Sequence, residues 1–368
     1  MKKLLYILIL TAGCKEEYNP PIKNGGYNYL VVEGNIVAGN DSTFIHLTRT
    51  IPVADTSNVQ PETNATVKVE SENGEVYQLM QENNGIYFAP PLPVDLNENY
   101  RIHIVTANGK EYASDYVPVK QTPPIDSVSW KFNETDGIDI YVNTHDATGS
   151  SQYYRWQYTS AYEHRSVDSS VLIYDNGLRW RLKNEQIYRC YNVDTSGDIF
   201  IASTAGLSSD VVFEKKLVSY PYEASQFRWV YTINVTQYAL TKEAYEYWDN
   251  LKKNTEKIGS IFDPQPFADF GNIHCISDPD EPVIGFISAC STSQKRLYIF
   301  YSQVHYPYDL SDCKPFVVSP TDIDEVFSET YKNIPLRYGD FGTVIGYEIE
   351  CLDCRLGGGT NVKPPYMP

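Results

Sequence analysis

Residues 65–80 read Ala-Thr-Val-Lys-Val-Glu-Ser-Glu-Asn-Gly-Glu-Val-Tyr-Gln-Leu-Met. Two extended runs flank Asn73-Gly74. An Asn-Gly pair between such runs is the strongest short-range signal for a β-hairpin, because both residues tolerate the positive φ of a tight turn. Working outward, Tyr29–Val37 and Thr43–Arg49 read as strands. The second places Phe44, His46 and Thr48 on one face and Thr43, Ile45 and Leu47 on the other. His46 is then a half-exposed strand residue. Gly85–Phe88 follows, and Tyr100–Val105 and Glu111–Val117 flank a second turn, Ala107-Asn-Gly-Lys110. About seven short strands thus fall within residues 28–121, the spacing of an immunoglobulin-like or transthyretin-like β-sandwich.

Gln121-Thr-Pro-Pro124 marks the expected boundary, since proline ends sheet pairing and stiffens a linker. A larger β-rich domain is expected over 125–368. Its strands include Ile125–Trp130, Gly137–Val142, Gln152–Tyr158, Phe227–Val235, Val283–Ser288 and Arg296–Tyr301. In the aromatic strand, Tyr154, Trp156 and Tyr158 share one face, while Tyr153, Arg155 and Gln157 share the other. One face is expected in a core. Stacking of a ligand on Trp156, Trp180 or Trp229 is the functional alternative. The main helix is expected over residues 241–257, with Thr241 as N-cap and Glu243 in its first turn. Ala244, Tyr247, Trp248, Leu251, Thr255 and Ile258 form its apolar stripe. The fold class is therefore mostly β, a sandwich followed by a larger β-rich domain with one main helix.

The first residues address compartment. Lys2 and Lys3, the apolar run Leu4–Leu10 and the small residues Thr11, Ala12 and Gly13 have the layout of a secretory signal peptide, residues 1–13. Thr-Ala-Gly-Cys14 resembles a bacterial lipobox, with Thr11 where leucine is usual. Acylation of Cys14 would anchor the chain, each buried CH₂ contributing about 0.8 kcal/mol. Lys15-Glu16-Glu17 resembles the export signal that sends some lipoproteins to the outer face of the outer membrane. Residues 14–27, with Asn19-Pro-Pro21 and Gly25-Gly26, read as an extended tether.

The chain has 368 residues and a net charge of −17, which becomes −19 once the two lysines of residues 1–13 are removed. That balance disfavours nucleic acid and anionic membrane as partners. The 31 tyrosines suit half-buried sheets. Six cysteines remain besides Cys14, namely Cys190, Cys275, Cys290, Cys313, Cys351 and Cys354, an even number that reads as disulfides in an exported chain. Cys351-Leu-Asp-Cys354 lacks the second cysteine pair or adjacent histidines of a zinc site. Gly357-Gly-Gly359 lacks the Lys-Ser/Thr of a phosphate loop, and Asp278-Pro-Asp-Glu281 lacks the spacing of a calcium loop and reads as a solvated turn. No catalytic constellation, metal site or cofactor motif is expected.

Several stretches together carry a resemblance. They are Tyr29-Leu-Val-Val-Glu-Gly34, Leu47-Thr-Arg-Thr50, Tyr154-Arg-Trp156, Ile261-Phe-Asp-Pro-Gln-Pro266, Gly271-Asn-Ile273, Gly285-Phe286 and the closing Cys351-Leu-Asp-Cys-Arg-Leu-Gly-Gly-Gly-Thr-Asn-Val-Lys-Pro364. This pattern resembles the domain-of-unknown-function family numbered 4249, with Tyr366 as the only aromatic near the last residues. The resemblance implies an outer-membrane lipoprotein of Bacteroidota-type bacteria, encoded beside TonB-dependent barrel transporters. It implies no catalytic residues. It also implies a disulfide-locked corner at Cys351, Cys354 and Arg355, with Cys351 or Cys354 joined to Cys190 or Cys313. The expected function is a non-enzymatic accessory or cargo-binding subunit of a TonB-dependent uptake complex. The alternative is a free-standing surface adhesin or glycan binder.

Overall fold

The computed structural model describes residues 28–51, 60–256, 271–305, 312–328 and 332–368. Cys14, Lys15, Glu16, Glu17, the signal peptide, the tether, Ile258 and Ile261–Pro266 lie outside them.

The chain is mostly β. In the first sandwich, one sheet holds Leu30–Ala38, Thr43–Arg49, Ile86–Ala89 and Met80–Gln81, and the other holds Val76–Gln78, Thr66–Ser71, Asn99–Val105 and Glu111–Ser114. Alternation aims Val32, Ile45, Leu47 and Tyr87 inward from one side and Val67, Val69, Ile102 and Tyr112 from the other, all fully or nearly fully buried.

The opening hairpin forms with a different turn. Strands Thr66–Ser71 and Val76–Gln78 pair Glu70 with Val76, leaving the five residues Ser71–Glu75 between that pair. Gly74 N–H donates to the Ser71 carbonyl (3.1 Å), Ser71 N–H to the Glu75 carbonyl (2.9 Å), and Gly74 has φ +92° while Asn73 stays at negative φ. The Ser71 hydroxyl accepts from Glu75 N–H (3.1 Å), which favours this longer loop over a two-residue turn. The run 76–80 also breaks. Leu79 turns into the core, its N–H bonds the Val67 carbonyl (2.9 Å), and Met80–Gln81 joins the opposite sheet.

The boundary at 121–124 does not separate two self-contained units. Ile273–Cys275 pairs with Glu111–Ser114, and Ile273, Cys275, Val283, Ile287 and Ala289 complete the first core. The strand Ser288–Phe300 belongs to both halves. Its first residues run parallel to Asn35–Ala38 and Val119–Lys120, and from Thr292 onward it pairs antiparallel with Val230–Tyr238. Thr122 and Pro123 are buried. Thr122 N–H donates to Ser291 Oγ (2.9 Å), and Ala239 N–H donates to Thr122 Oγ1 (2.9 Å).

The second sandwich stacks Ile125–Phe132, Ile138–His145 and Val211–Tyr220 on a sheet centred on Tyr153–Arg165 and Val230–Ala239. Ile138, Ile140 and Val142 meet Trp156, Tyr231, Ile233 and Ile299 in its core. Trp156 is wholly buried and donates from Nε1 to Gln237 Oε1 (2.8 Å), so it belongs to the core and not to a ligand platform. Gln237 in turn donates to the Pro123 carbonyl (2.8 Å) and to Thr144 Oγ1 (3.0 Å), which satisfies every polar group in this buried chain.

The helix is observed at Lys242–Glu256. Thr241 Oγ1 accepts from Ala244 N–H (3.2 Å), as an N-cap should. Ala244 and Tyr247 are buried, Trp248 and Leu251 half-buried, and Thr255 exposed, so the stripe leaves the core in its last turn. Tyr245 meets Tyr153 of the second sandwich (5.2 Å between rings) and Tyr247 meets Phe286 (5.4 Å).

The C-terminal residues form a small cap. Phe316–Val318, Val344–Glu348 and Asn333–Tyr338 make a sheet beside the hairpin Leu172–Tyr174 and Leu178–Trp180. Disulfides join Cys190 to Cys354 and Cys313 to Cys351. Cys275 and Cys290 are buried free thiols, which corrects the expectation that all six cysteines pair. Cys275 belongs to the first core and Cys290 lies on the strand shared by the two halves, where each fills space as a small apolar side chain.

Candidate functional site

A cavity of about 730 Å³ opens where the first sandwich, the second sandwich and the helix meet. Strand alternation builds it. Glu33 and His46 are register partners on the outward face of the first sandwich, next to Asn35 and Phe44. Arg155 and Gln157 point away from the core that holds Tyr154 and Trp156, and Arg155 is paired across the sheet with Tyr238. Trp248, Leu251 and Thr255 line the helix side, and Ser196–Ile199 form the rim. Lys252 Nζ donates to the Ile199 carbonyl (2.7 Å), tying rim to helix.

Two glycines set this junction. Gly271 and Gly285 form a parallel bridge, with φ +105° and +142°. A Cβ at Gly285 would sit 2.0 Å from the Val32 carbonyl oxygen, and one at Gly271 would sit 1.7 Å from the Gly285 oxygen. Only glycine permits backbones this close at these angles. Between them, Asn272 is buried, donating to the Ile287 carbonyl (3.0 Å) and accepting from Ile287 N–H (2.8 Å). The segment is thereby locked on Leu30–Ala38, and Phe286 is presented to the helix.

Arg155 is the unusual group. Its guanidinium lies 3.8 Å from the centre of the Trp248 ring and 5.9 Å from that of Tyr238. Among the described residues no carboxylate or hydrogen-bond acceptor meets it. Burial pushes its pKa below the ordinary arginine value, with Tyr238, Cys290 and Glu33 opposing the shift only weakly. Arg49 is also buried but holds Glu62 (2.6 Å), and Arg165 holds Glu163 (2.5 Å); in both, burial is the largest single effect, yet the hydrogen bonds and charges of Glu62 and Tyr112, and of Glu163 and Tyr188, together raise the pKa.

The sequence candidates disperse. Trp180 is 64% exposed on the cap, edge-on to Tyr338 (5.8 Å). Trp229 is covered on one face by the Arg165 guanidinium (3.7 Å), beside a cavity of about 200 Å³ shared with His164 and Gly357. The acidic turn Asp278–Glu281 is an ion-pair cluster. Glu281 binds Lys110, accepts from Tyr112 Oη (2.8 Å) and lies 3.8 Å from Arg49. His164, Cys190 and Cys354 are close enough to share a metal, but the two sulfurs are bonded to each other. The closing motif has a structural role. Asp353 accepts from Arg355 N–H (3.0 Å) and binds its guanidinium (2.8 and 2.7 Å), and His164 Nε2 bonds the Cys354 carbonyl (2.6 Å). Arg155 and Trp248 escaped sequence reasoning as a pair. The available signal was a cation on the outward face of an aromatic strand.

No curated protein matches the chain. A segment of two fibronectin type-III domains from chicken tenascin is 15% identical, covering 58% of this chain and 91% of its own length at a TM-score of 0.17. The BSP domain of a biofilm-associated protein is 7% identical, covering 75% and 60% at a TM-score of 0.15. At such scores neither likeness carries an argument about the fold, which rests on the strands themselves. The family described as Domain of unknown function (DUF4249) matches residues 15–296, a span that includes Glu33, Arg155, Gly271 and Gly285 and stops short of Cys351–Pro364. The chain belongs to that family.

Proposed function

We propose that the chain is a surface-exposed outer-membrane lipoprotein, anchored through Cys14, that serves as a non-enzymatic cargo-binding or accessory subunit of a TonB-dependent barrel transporter. The supporting observation is the junction cavity, whose lining includes a guanidinium stacked on tryptophan. A guanidinium keeps its proton and does not attack an electrophile, which suits a group that recognises a ligand. Residues 14–27, read from the sequence as a tether, would let the body move relative to a barrel. The test is isolation of the native chain in mild detergent through a C-terminal tag, followed by mass spectrometry. A stoichiometric barrel partner supports the reading, and recovery of the chain alone refutes it.

A second reading, a free-standing adhesin or glycan binder, is favoured by Trp180 and Tyr338, an exposed aromatic pair on the cap. Binding of the isolated chain to a glycan array, lost in Trp180→Ala, would support it.

A further inference from the structure

We infer that the junction cavity receives a short peptide with a free carboxyl terminus, its carboxylate on Arg155 and its amino end toward Glu33 and Asp198. A half-buried cation that meets no acceptor among the described residues is costly, and proteins normally pair it. This chain does so at Arg49 and Arg165. Trp248 occupies one face of the Arg155 guanidinium, and no described residue takes its in-plane N–H groups. Those groups form a planar fork that matches a carboxylate in a bidentate arrangement.

The other lining groups narrow the class. Glu33 and Asp198 are acidic and line the same cavity. With the chain at net charge −17, they disfavour a simple anion such as inorganic phosphate. A zwitterion satisfies both signs at once. Phe44, Tyr238 and Leu251 offer apolar surface for side chains, and Asn35, Gln157 and Ser196 offer hydrogen bonds for peptide groups. About 730 Å³ lies within the range of small-molecule sites and accommodates a few residues. The inference specifies the cargo of the proposed function and rests on that reading, yet it is measured on the isolated chain without a barrel.

The experiment uses the full mature chain, incubated with a mixed tripeptide library bearing free termini. Parallel arms use the same library amidated at the carboxyl end, the library acetylated at the amino end, and glucuronate. Retained molecules are read by ultrafiltration and mass spectrometry. Free tripeptides should be retained, amidation should weaken retention at least tenfold, and acetylation should weaken it several-fold. Arg155→Gln should lose binding to the same degree as amidation, with Arg155→Lys intermediate because it keeps charge without the fork. Retention of no tripeptide, equal retention of amidated peptides, retention of glucuronate in their place, or undiminished binding by folded Arg155→Gln overturns the inference. Undiminished binding of acetylated peptides overturns the assignment of the amino end. If Arg155→Gln does not fold, the free and amidated arms on the unaltered chain decide. Co-isolation with a barrel should persist in Arg155→Gln, so failure of the ligand and failure of the partner are told apart.

Discussion

The first sandwich and the C-terminal cap solve the same problem by different means. Among the described residues, the sandwich core holds 23 buried residues, and Cys275 within it stays a free thiol, as does Cys290 on the adjoining strand. The cap's two clusters hold six and four buried residues, and Cys313–Cys351 and Cys190–Cys354 close it. Burial of apolar surface grows with the size of a packed unit, so a small unit gains more from restricting its unfolded chain. Cysteine chemistry in this chain therefore follows core size, not cysteine number.

The largest effect should come from breaking the cap. The disulfides span 164 and 38 residues, worth about 5 and about 4 kcal/mol by loop entropy. Replacing the four cysteines by serine should abolish amide protection over 333–348 while Leu30–Val37 and Ile102–Ile104 keep theirs in hydrogen exchange. Uniform loss across both regions would break the comparison. Next, Trp156→Ala removes the largest wholly buried side chain of the second sandwich and its bond to Gln237. It should cost about 3–5 kcal/mol in urea unfolding, and because Gln237 holds Pro123, the loss should reach both sandwiches.

A smaller, pH-dependent effect belongs to Asp139. Burial alone would raise its pKa, but bonds from Ser219 (2.6 Å), Lys216 (3.0 Å) and Asn133 (3.2 Å) hold it at about 2. A depressed carboxylate pKa stabilises the fold above the unfolded value near 4 and loses that contribution as pH falls toward 2. Asp139→Asn should cost about 1–2 kcal/mol at neutral pH and flatten the pH profile in that window. The smallest effect is expected at the thiols. Burial pushes Cys290 up to about 12, so it should be unreactive in the native state. Cys290→Ala should cost about 1 kcal/mol, and maleimide should label Cys275 and Cys290 only on unfolding. Rapid native labelling would blur the distinction between the two regions.

Much of the fold was legible because it is local. Alternation located the strands of the first sandwich, and Thr241 located the helix start. Long-range choices were not legible. Nothing in Ser288–Phe300 announces that one strand serves two sandwiches, since its pairing partners lie far away in sequence. The Asn-Gly turn took a longer loop because Ser71 supplied an acceptor to Glu75 N–H that a turn dipeptide does not encode. Tyr154-Arg-Trp156 showed its two faces, yet only the approach of Trp248 and Glu33 makes the outward face a cavity. The cysteines were countable, but their partners depend on which half packs well without them.

The account of a tethered binding subunit is tested most directly by the intact mass of the mature chain recovered from cell membranes. It predicts a polypeptide beginning at Cys14 and carrying fatty acyl groups, with Cys14→Ser released into the soluble fraction. An unacylated product, or a Cys14→Ser chain that fractionates like the natural one, would contradict it.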